Sequence, residues 1–222
     1  MTINEKALEL HEKWNGKLDT VSKVQVKTRE DLALAYTPGV AEPCKVIAED
    51  PEAAYRYTIK SNTVAVVSDG SAVLGLGNIG PLAAMPVMEG KSALYKKFGN
   101  IDAIPIVINT KDKDEFIHTV QLLEKSFAGI NLEDISSPKC YDIEDELKRT
   151  MNIPVFHDDQ HGTAIAALAA LLGALKVAGK KIEDVKIVMN GAGAAGTAIA
   201  RLILEAGADP AKMTILNSRG IL

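Results

Sequence analysis

The sequence predicts an α/β fold built on a mainly parallel sheet, and three observations carry that reading. Short apolar, β-branched runs alternate with segments of helical period, the pattern of βαβ units. Acidic residues follow directly on two of the apolar runs, in NLEDISSPKC and FHDDQHGTA. A glycine string, GAGAAG from Gly191 to Gly196, stands between a strand pattern and a helix pattern near the C-terminus.

Residues 3 to 14 read as an amphipathic helix, with Ile3, Ala7, Leu10 and Trp14 on one face. Thr28 caps a second helix with Asp31 three residues on, and Pro38–Gly39 interrupts the helical pattern after it, so short helices broken by turns are expected up to residue 58. Thr63 to Val67 is a β-branched strand run, closed by the turn signal SDGS. A second strand is expected over Ala103 to Ile108, then a helix over Asp112 to Glu124 with Phe116, Ile117, Val120 and Leu123 on one face. Ala128 to Leu132 and Ile153 to Phe156 are further strands, separated by a helix over Asp142 to Thr150. His161 to Ala178 reads as one long Ala/Leu helix stopped by Gly179. Val185 to Asn190 is a buried-strand pattern, GAGAAG opens a helix over Ala194 to Ala206, and Met213 to Asn217 is the next strand. A dinucleotide domain normally carries two βαβαβ halves. Only the opening of the first falls within these residues, so a piece of a longer protein or a truncated cofactor domain is expected.

Composition narrows the function classes. The 222 residues hold 47% hydrophobic and 24% charged residues, ordinary for a globular protein able to bury a sizeable core. With 25 basic against 29 acidic side chains the net charge is -4, and no nucleic-acid partner is expected. Two cysteines, Cys44 and Cys140, are too few and too far apart for a disulfide scaffold or a zinc cluster. The N-terminus lacks a signal peptide's uncharged core. The longest apolar run, Ala164 to Leu175, is shorter than the roughly 18 to 20 residues that span a bilayer. No membrane association and a cytoplasmic location are the expectation.

The acidic pairs Glu133–Asp134 and Asp158–Asp159 lie just beyond predicted strands, where open α/β sheets bind ligands. Carboxylates gathered without cysteine suit a hard divalent cation, Mg²⁺ or Mn²⁺. The alternative is that Asp134 or Asp159 merely caps a helix. His157 and His161 flank the second pair without a zincin pattern, and a polar role orienting neighbours is expected of them. In GAGAAG, Gly191 permits a tight turn, Gly193 lets a pyrophosphate approach the backbone, and Gly196 lets helix and strand pack closely. Ala194 opens the helix whose amides face the phosphates. The bland reading is a glycine-rich turn. Asn217 stands where an NAD-specific domain places an acid, with Ser218 and Arg219 next, so NADP is open as well as NAD; a solvated loop is the other reading. Lys91, among apolar residues in PVMEGKSAL, is a base only if burial or a nearby cation lowers its pKa, and otherwise a surface lysine. Tyr36 beside Pro38–Gly39 reads equally as a packed tyrosine.

Taken together and in order, YTPGVAEPC, SDGSAVLGLGNIGPLAAMPVMEGKSALYKKFGNIDAIPI, GINLEDISSPKC, FHDDQHGTAIA and NGAGAAG resemble the malic enzyme family, in its small-subunit prokaryotic branch. The match runs from about Tyr36 to the end of the chain. The resemblance implies a malic-enzyme-type substrate and metal domain over residues 1–160, then the opening part of a Rossmann-like NAD(P)-binding domain over residues 161–222. It implies oxidative decarboxylation of L-malate to pyruvate and CO₂ with NAD or NADP and Mg²⁺ or Mn²⁺, and a homodimer. Carried over residue by residue, Glu133, Asp134 and Asp159 match the metal carboxylates. Lys91 matches the general base, Tyr36 the general acid, and Asp158 a carboxylate that holds the lysine. Gly191, Gly193 and Gly196, with Ala194 and Asn217 beside them, match the dinucleotide site. The chain departs from the larger-subunit branch near Ala72, where an arginine that holds a malate carboxylate has no basic counterpart. Two other readings stay open: a metal-dependent oxaloacetate decarboxylase without redox turnover, and a non-catalytic module that dimerises through its N-terminal helices and senses a small acid or nucleotide.

Overall fold

A computed structural model describes residues 2–222. Residues 3–57 carry four α-helices: α1 (Ile3–Trp14), α2 (Arg29–Ala35), α3 (Ala41–Glu49) and α4 (Ala54–Tyr57). Capping boxes fix two of them. Thr2 pairs with Glu5 at α1 and Thr28 with Asp31 at α2, each side chain satisfying an otherwise orphaned backbone N–H. None of the four helices buries a residue.

A four-stranded parallel sheet follows, made of β1 (Thr63–Ser68), β2 (Asp102–Val107), β3 (Gly129–Leu132) and β4 (Val155–His157) in the order β2-β1-β3-β4. Between its strands run α5 (Pro81–Leu94), α6 (Lys113–Leu122) and α7 (Lys139–Thr150). Both sheet faces are covered, so β1 reads as a continuous apolar run. Ala65 and Val67 face a core shared with Phe116, Val120, Ile143 and Leu147 of α6 and α7, all buried. Val66 faces the opposite side, against Ala84 and Met88 of α5 and Ala103 of β2. Each fully buried side chain of this size contributes about 1.5–3 kcal/mol, so these two layers hold the sheet whose C-terminal edge carries the site.

α8 (Asp158–Ala178) then leads to a second sheet of β5 (Ile187–Asn190), β6 (Met213–Asn217) and β7 (Gly220–Ile221), ordered β5-β6-β7, with α9 (Ala194–Glu205) after β5. β5 and β6 are parallel, as a βαβ unit requires, and β7 folds back antiparallel on β6. α8 packs along α9, and Ala194 at the start of α9 packs against the core of the first sheet.

Strands β1 to β6 and helices α1, α6 and α9 fall where the sequence places them to within a few residues, whereas the short β7 was not expected. α5 is a full helix that periodicity did not delimit, and α7 and α8 begin three residues earlier than expected, at Lys139 and Asp158. The division expected at residue 160 therefore falls inside α8. Among the described residues α8 is also long and apolar enough, by length and composition, to cross a membrane, although its apolar run alone falls short. Its first turn carries Asp158 and Asp159 into the acidic site, and its side lies on α9.

Candidate active site

Two neighbouring strands deliver the carboxylates. Leu132 and His157 are register partners at the ends of β3 and β4. Glu133–Asp134 and Asp158–Asp159 therefore leave the sheet side by side at its carboxyl edge. One carboxylate oxygen from each of Glu133, Asp134 and Asp159 lies within 4.8 Å of the other two. Glu133 and Asp134 are only 5% and 4% exposed. Asp134 sits in the left-handed region at φ 54, a conformation that surrounding structure must enforce. Its backbone N–H donates to Asp159 Oδ2 at 2.9 Å, and its buried Oδ2 has no hydrogen-bond partner.

A buried, unpartnered carboxylate oxygen is costly. Burial pushes the Glu133 carboxyl up to about 7, and burial with the neighbouring charge of Asp159 pushes Asp134 up to about 6. Three converging carboxylates, one of them with a buried unpartnered oxygen, fit a hard divalent cation, and no cysteine or imidazole belongs to the cluster.

Lys91 reaches this cluster from the last turn of α5. Its Nζ lies 2.6 Å from Asp158 Oδ2 and 3.0 Å from Glu133 Oε1. Burial opposes the charge on Nζ, but the two carboxylates outweigh it and hold the ammonium well above the ordinary lysine range. Lys91 is thus at the site and protonated, with the Asp158 contact expected of it. Room for Asp158 depends on Gly162, where an added Cβ would meet Asp158 Oδ1 at 2.2 Å.

Asn131 and Tyr95 also belong here, and sequence reasoning missed both. Asn131 Nδ2 donates to Glu133 Oε2 at 2.8 Å, and the Tyr95 hydroxyl donates to Asn131 Oδ1 at 3.0 Å. Burial, then the charges of Asp158 and Glu133, raise the Tyr95 hydroxyl pKa. Asn131 stands two residues before Glu133 on β3, hence on the same face, and that spacing was the available signal. Beside the ligand loop, Ala72 N–H donates to the Asp134 carbonyl at 3.0 Å. In the same turn buried Asp69 pairs with Lys139 at the start of α7.

Tyr36 lies apart from the other expected site residues within one chain. It is the C-cap of α2, 67% exposed, and no hydrogen bond joins it to Lys91 or the acids among the described residues. The physical reason is that the helices around it bury nothing against the sheet.

The glycine string forms the turn from β5 into α9, as its spacing requires. Gly191 has φ +127, and a Cβ on Gly196 would meet the Gly191 carbonyl oxygen at 2.1 Å. Gly191, Gly193, Ala194 and Gly196 line a cleft of about 470 Å³ with Asn190 and Ile199. Asn217, at the end of β6, accepts the Arg219 N–H at 2.7 Å, so its side chain closes the β6–β7 turn.

Comparison with known proteins bears on both halves. The family model "Malic enzyme, N-terminal domain" matches residues 15–148, and "Malic enzyme, NAD binding domain" matches residues 160–213. A bifunctional malic/malolactic enzyme of Bacillus subtilis is 59% identical over 203 residues, 91% of this chain and 50% of that protein. An NADP-dependent malic enzyme of Haemophilus influenzae is 50% identical over 221 residues, 99% of this chain and 29% of that protein. The crystal structure of an NAD-dependent malic enzyme from Thermotoga maritima superposes with a TM-score of 0.94 at 54% identity, covering 97% of this chain and 57% of that one. The chain spans about half the length, or less, of the curated relatives it matches.

Proposed function

The chain belongs to the malic enzyme family, and from that premise we propose that it carries the metal and substrate site for oxidative decarboxylation of L-malate to pyruvate and CO₂, with NAD or NADP as hydride acceptor. The supporting observation is the meeting of Glu133, Asp134 and Asp159 within 4.8 Å, two of them buried, beside Lys91.

Glu133, Asp134 and Asp159 would hold Mg²⁺ or Mn²⁺. A divalent cation there supplies a Lewis acid to the substrate's C2 oxygen and a positive charge that offsets the carboxylates now holding the Lys91 proton. With its ammonium proton first given up to solvent, the neutral Lys91 amine would take the C2 hydroxyl proton as hydride passes to the dinucleotide. Asp158 fixes its Nζ by the 2.6 Å contact. Loss of CO₂ from the resulting oxaloacetate leaves an enolate that needs a proton at C3. Lys91, having gained one, is the proton carrier at the site, and within one chain Tyr36 is not placed to serve. Gly191, Gly193, Ala194 and Gly196 would present amides to the dinucleotide phosphates.

The test is NADH or NADPH formation from malate with Mn²⁺, compared with Lys91→Ala. A general base is worth roughly 10²- to 10⁴-fold, so a variant retaining activity within about tenfold removes Lys91 from that role. Oxaloacetate loss without nucleotide turnover would replace the proposal with a simple decarboxylase. Absence of both, with malate or nucleotide still raising the melting temperature, would favour a sensing module. A cytoplasmic homodimer belongs to the same proposal.

A further inference from the structure

Behind the carboxylates lies a buried chain of polar groups that the reaction does not use. Glu144 of α7 is 3% exposed, Gln160 4% and His157 fully buried. Gln160 Nε2 lies 3.0 Å from Glu144 Oε2 and 2.9 Å from His157 Nδ1. Glu144 also accepts the His157 backbone N–H at 3.2 Å, and Lys148 Nζ and His161 Nε2 sit 2.7 and 2.8 Å from its Oε1.

The donor and acceptor inventory fixes this chain's polarity. An ionised carboxylate only accepts, so the Gln160 group facing Glu144 is the NH₂ and not the carbonyl oxygen. Glu144 is ionised: burial alone would raise its pKa, but Lys148 and His161 pull it below the ordinary range. The second N–H of that NH₂ is directed at His157 Nδ1, which must accept. A neutral imidazole whose Nδ1 accepts carries its proton on Nε2. That Nε2 is buried, has no hydrogen-bond partner, and stands 3.3 Å from Asp159 Oδ2. Asp159 Oδ2 already accepts the Asp134 N–H.

We propose that His157 is a positioning residue for Asp159, held in the Nε2–H tautomer from α7 by Glu144 acting through Gln160, so that its Nε2–H faces Asp159 Oδ2 across the 3.3 Å contact and orients the carboxylate towards the cation. The inference rests on the metal-site reading. It gives β4 and the first turn of α8 a reason to carry His157, Asp159 and Gln160 together. Groups behind metal ligands typically set affinity by 10- to 100-fold.

Two measurements on the 222-residue chain test it. The first is the ring-nitrogen NMR spectrum of the metal-free protein near neutral pH, with His157→Gln used to assign the signals: Nε2–H is expected for His157, and Nδ1–H overturns the proposal. The second is Mn²⁺ binding followed by the spin resonance of the free ion. His157→Leu is expected to bind about 10- to 100-fold more weakly. His157→Gln, which returns an N–H near the position of Nε2, should recover most of the loss. A folded Leu variant within about tenfold of wild type, or a Gln variant as weak as Leu, overturns it. Should the Leu variant not fold, Gln160→Met decides, because it must release the tautomer and weaken Mn²⁺ binding while His157 stays in place. Wild-type protein that does not bind Mn²⁺ removes the metal site itself, whereas tight wild-type binding with indifferent variants removes only the role of His157.

Discussion

Asp134 is the residue on which burial and function pull hardest against each other. It is 4% exposed, strained at φ 54, and one of its oxygens is unpartnered. A carboxyl raised from 3.8 to about 6 means the folded chain binds the proton more tightly than the unfolded chain does. Its stabilising effect is complete below the unfolded value and is lost as pH rises towards 6, and Glu133 extends the loss to about 7. The metal-free chain should therefore melt at falling temperatures between about pH 4 and 7, and Mn²⁺ should reverse the fall more strongly as pH rises. Calorimetry across that range checks this; a melting temperature flat or rising with pH contradicts it. Asp134→Asn should raise metal-free stability at pH 8, by at most about 3 kcal/mol, while weakening Mn²⁺ about 100-fold or more, since a ligand matters at least as much as its supports. Both carboxylate pairs and Lys91 were legible in the sequence, because strand-end position and motif order single them out. Asn131, Tyr95 and the Glu144–Gln160–His157 chain were not, apart from the i, i+2 spacing of Asn131 and Glu133. Their roles arise from hydrogen bonds between elements up to 36 positions apart, which no local pattern records. Tyr36 shows the converse: a motif match names a residue without placing it.

At the scale of elements, the parallel strands were legible because burial on both faces makes them apolar and β-branched, and α8 because Gly179 stops it in the left-handed conformation. α5 was not, since Pro86 and Gly90 lie inside it and its buried positions Ala84, Met88 and Ser92 form only a narrow stripe. The turn from β5 into α9 is set by one contact. An alanine at Gly196 would place its Cβ 2.1 Å from the Gly191 carbonyl oxygen, backbone that cannot rotate aside. Gly196→Ala should lower stability by about 1–3 kcal/mol, the cost of overpacking a close approach. Gly193→Ala, where nothing lies within 4 Å, should stay within about 0.5 kcal/mol of wild type. Urea titration of the two variants separates them, and equal losses would mean that the turn tolerates a displaced helix.

Across the whole molecule the burial is uneven, and the site sits on the better-packed side. Both hydrophobic clusters belong to the first sheet, and β3 is buried at every position. β5 alternates between half-buried and exposed, β6 is half-buried throughout, and Val188 is 71% exposed. α8 likewise leaves Ile165 and Leu172 open at 57% and 46%. Local opening costs least where few apolar contacts are broken, so the second sheet should open without the first. Hydrogen exchange should find amides of β1 and β3 exchanging only with global unfolding, and those of β5 and β6 exchanging faster at low denaturant. Because Ala194 packs on the first core and α8 on α9, the N-terminal turn of α9 should be the best-protected part of the second unit. Exchange in β5 and β6 as slow as in β1 and β3 would show that the two sheets unfold as one. In the uneven case the carboxylate site keeps its geometry while the glycine cradle opens beside it, and Mn²⁺ binding should then survive denaturant concentrations at which β5 and β6 already exchange.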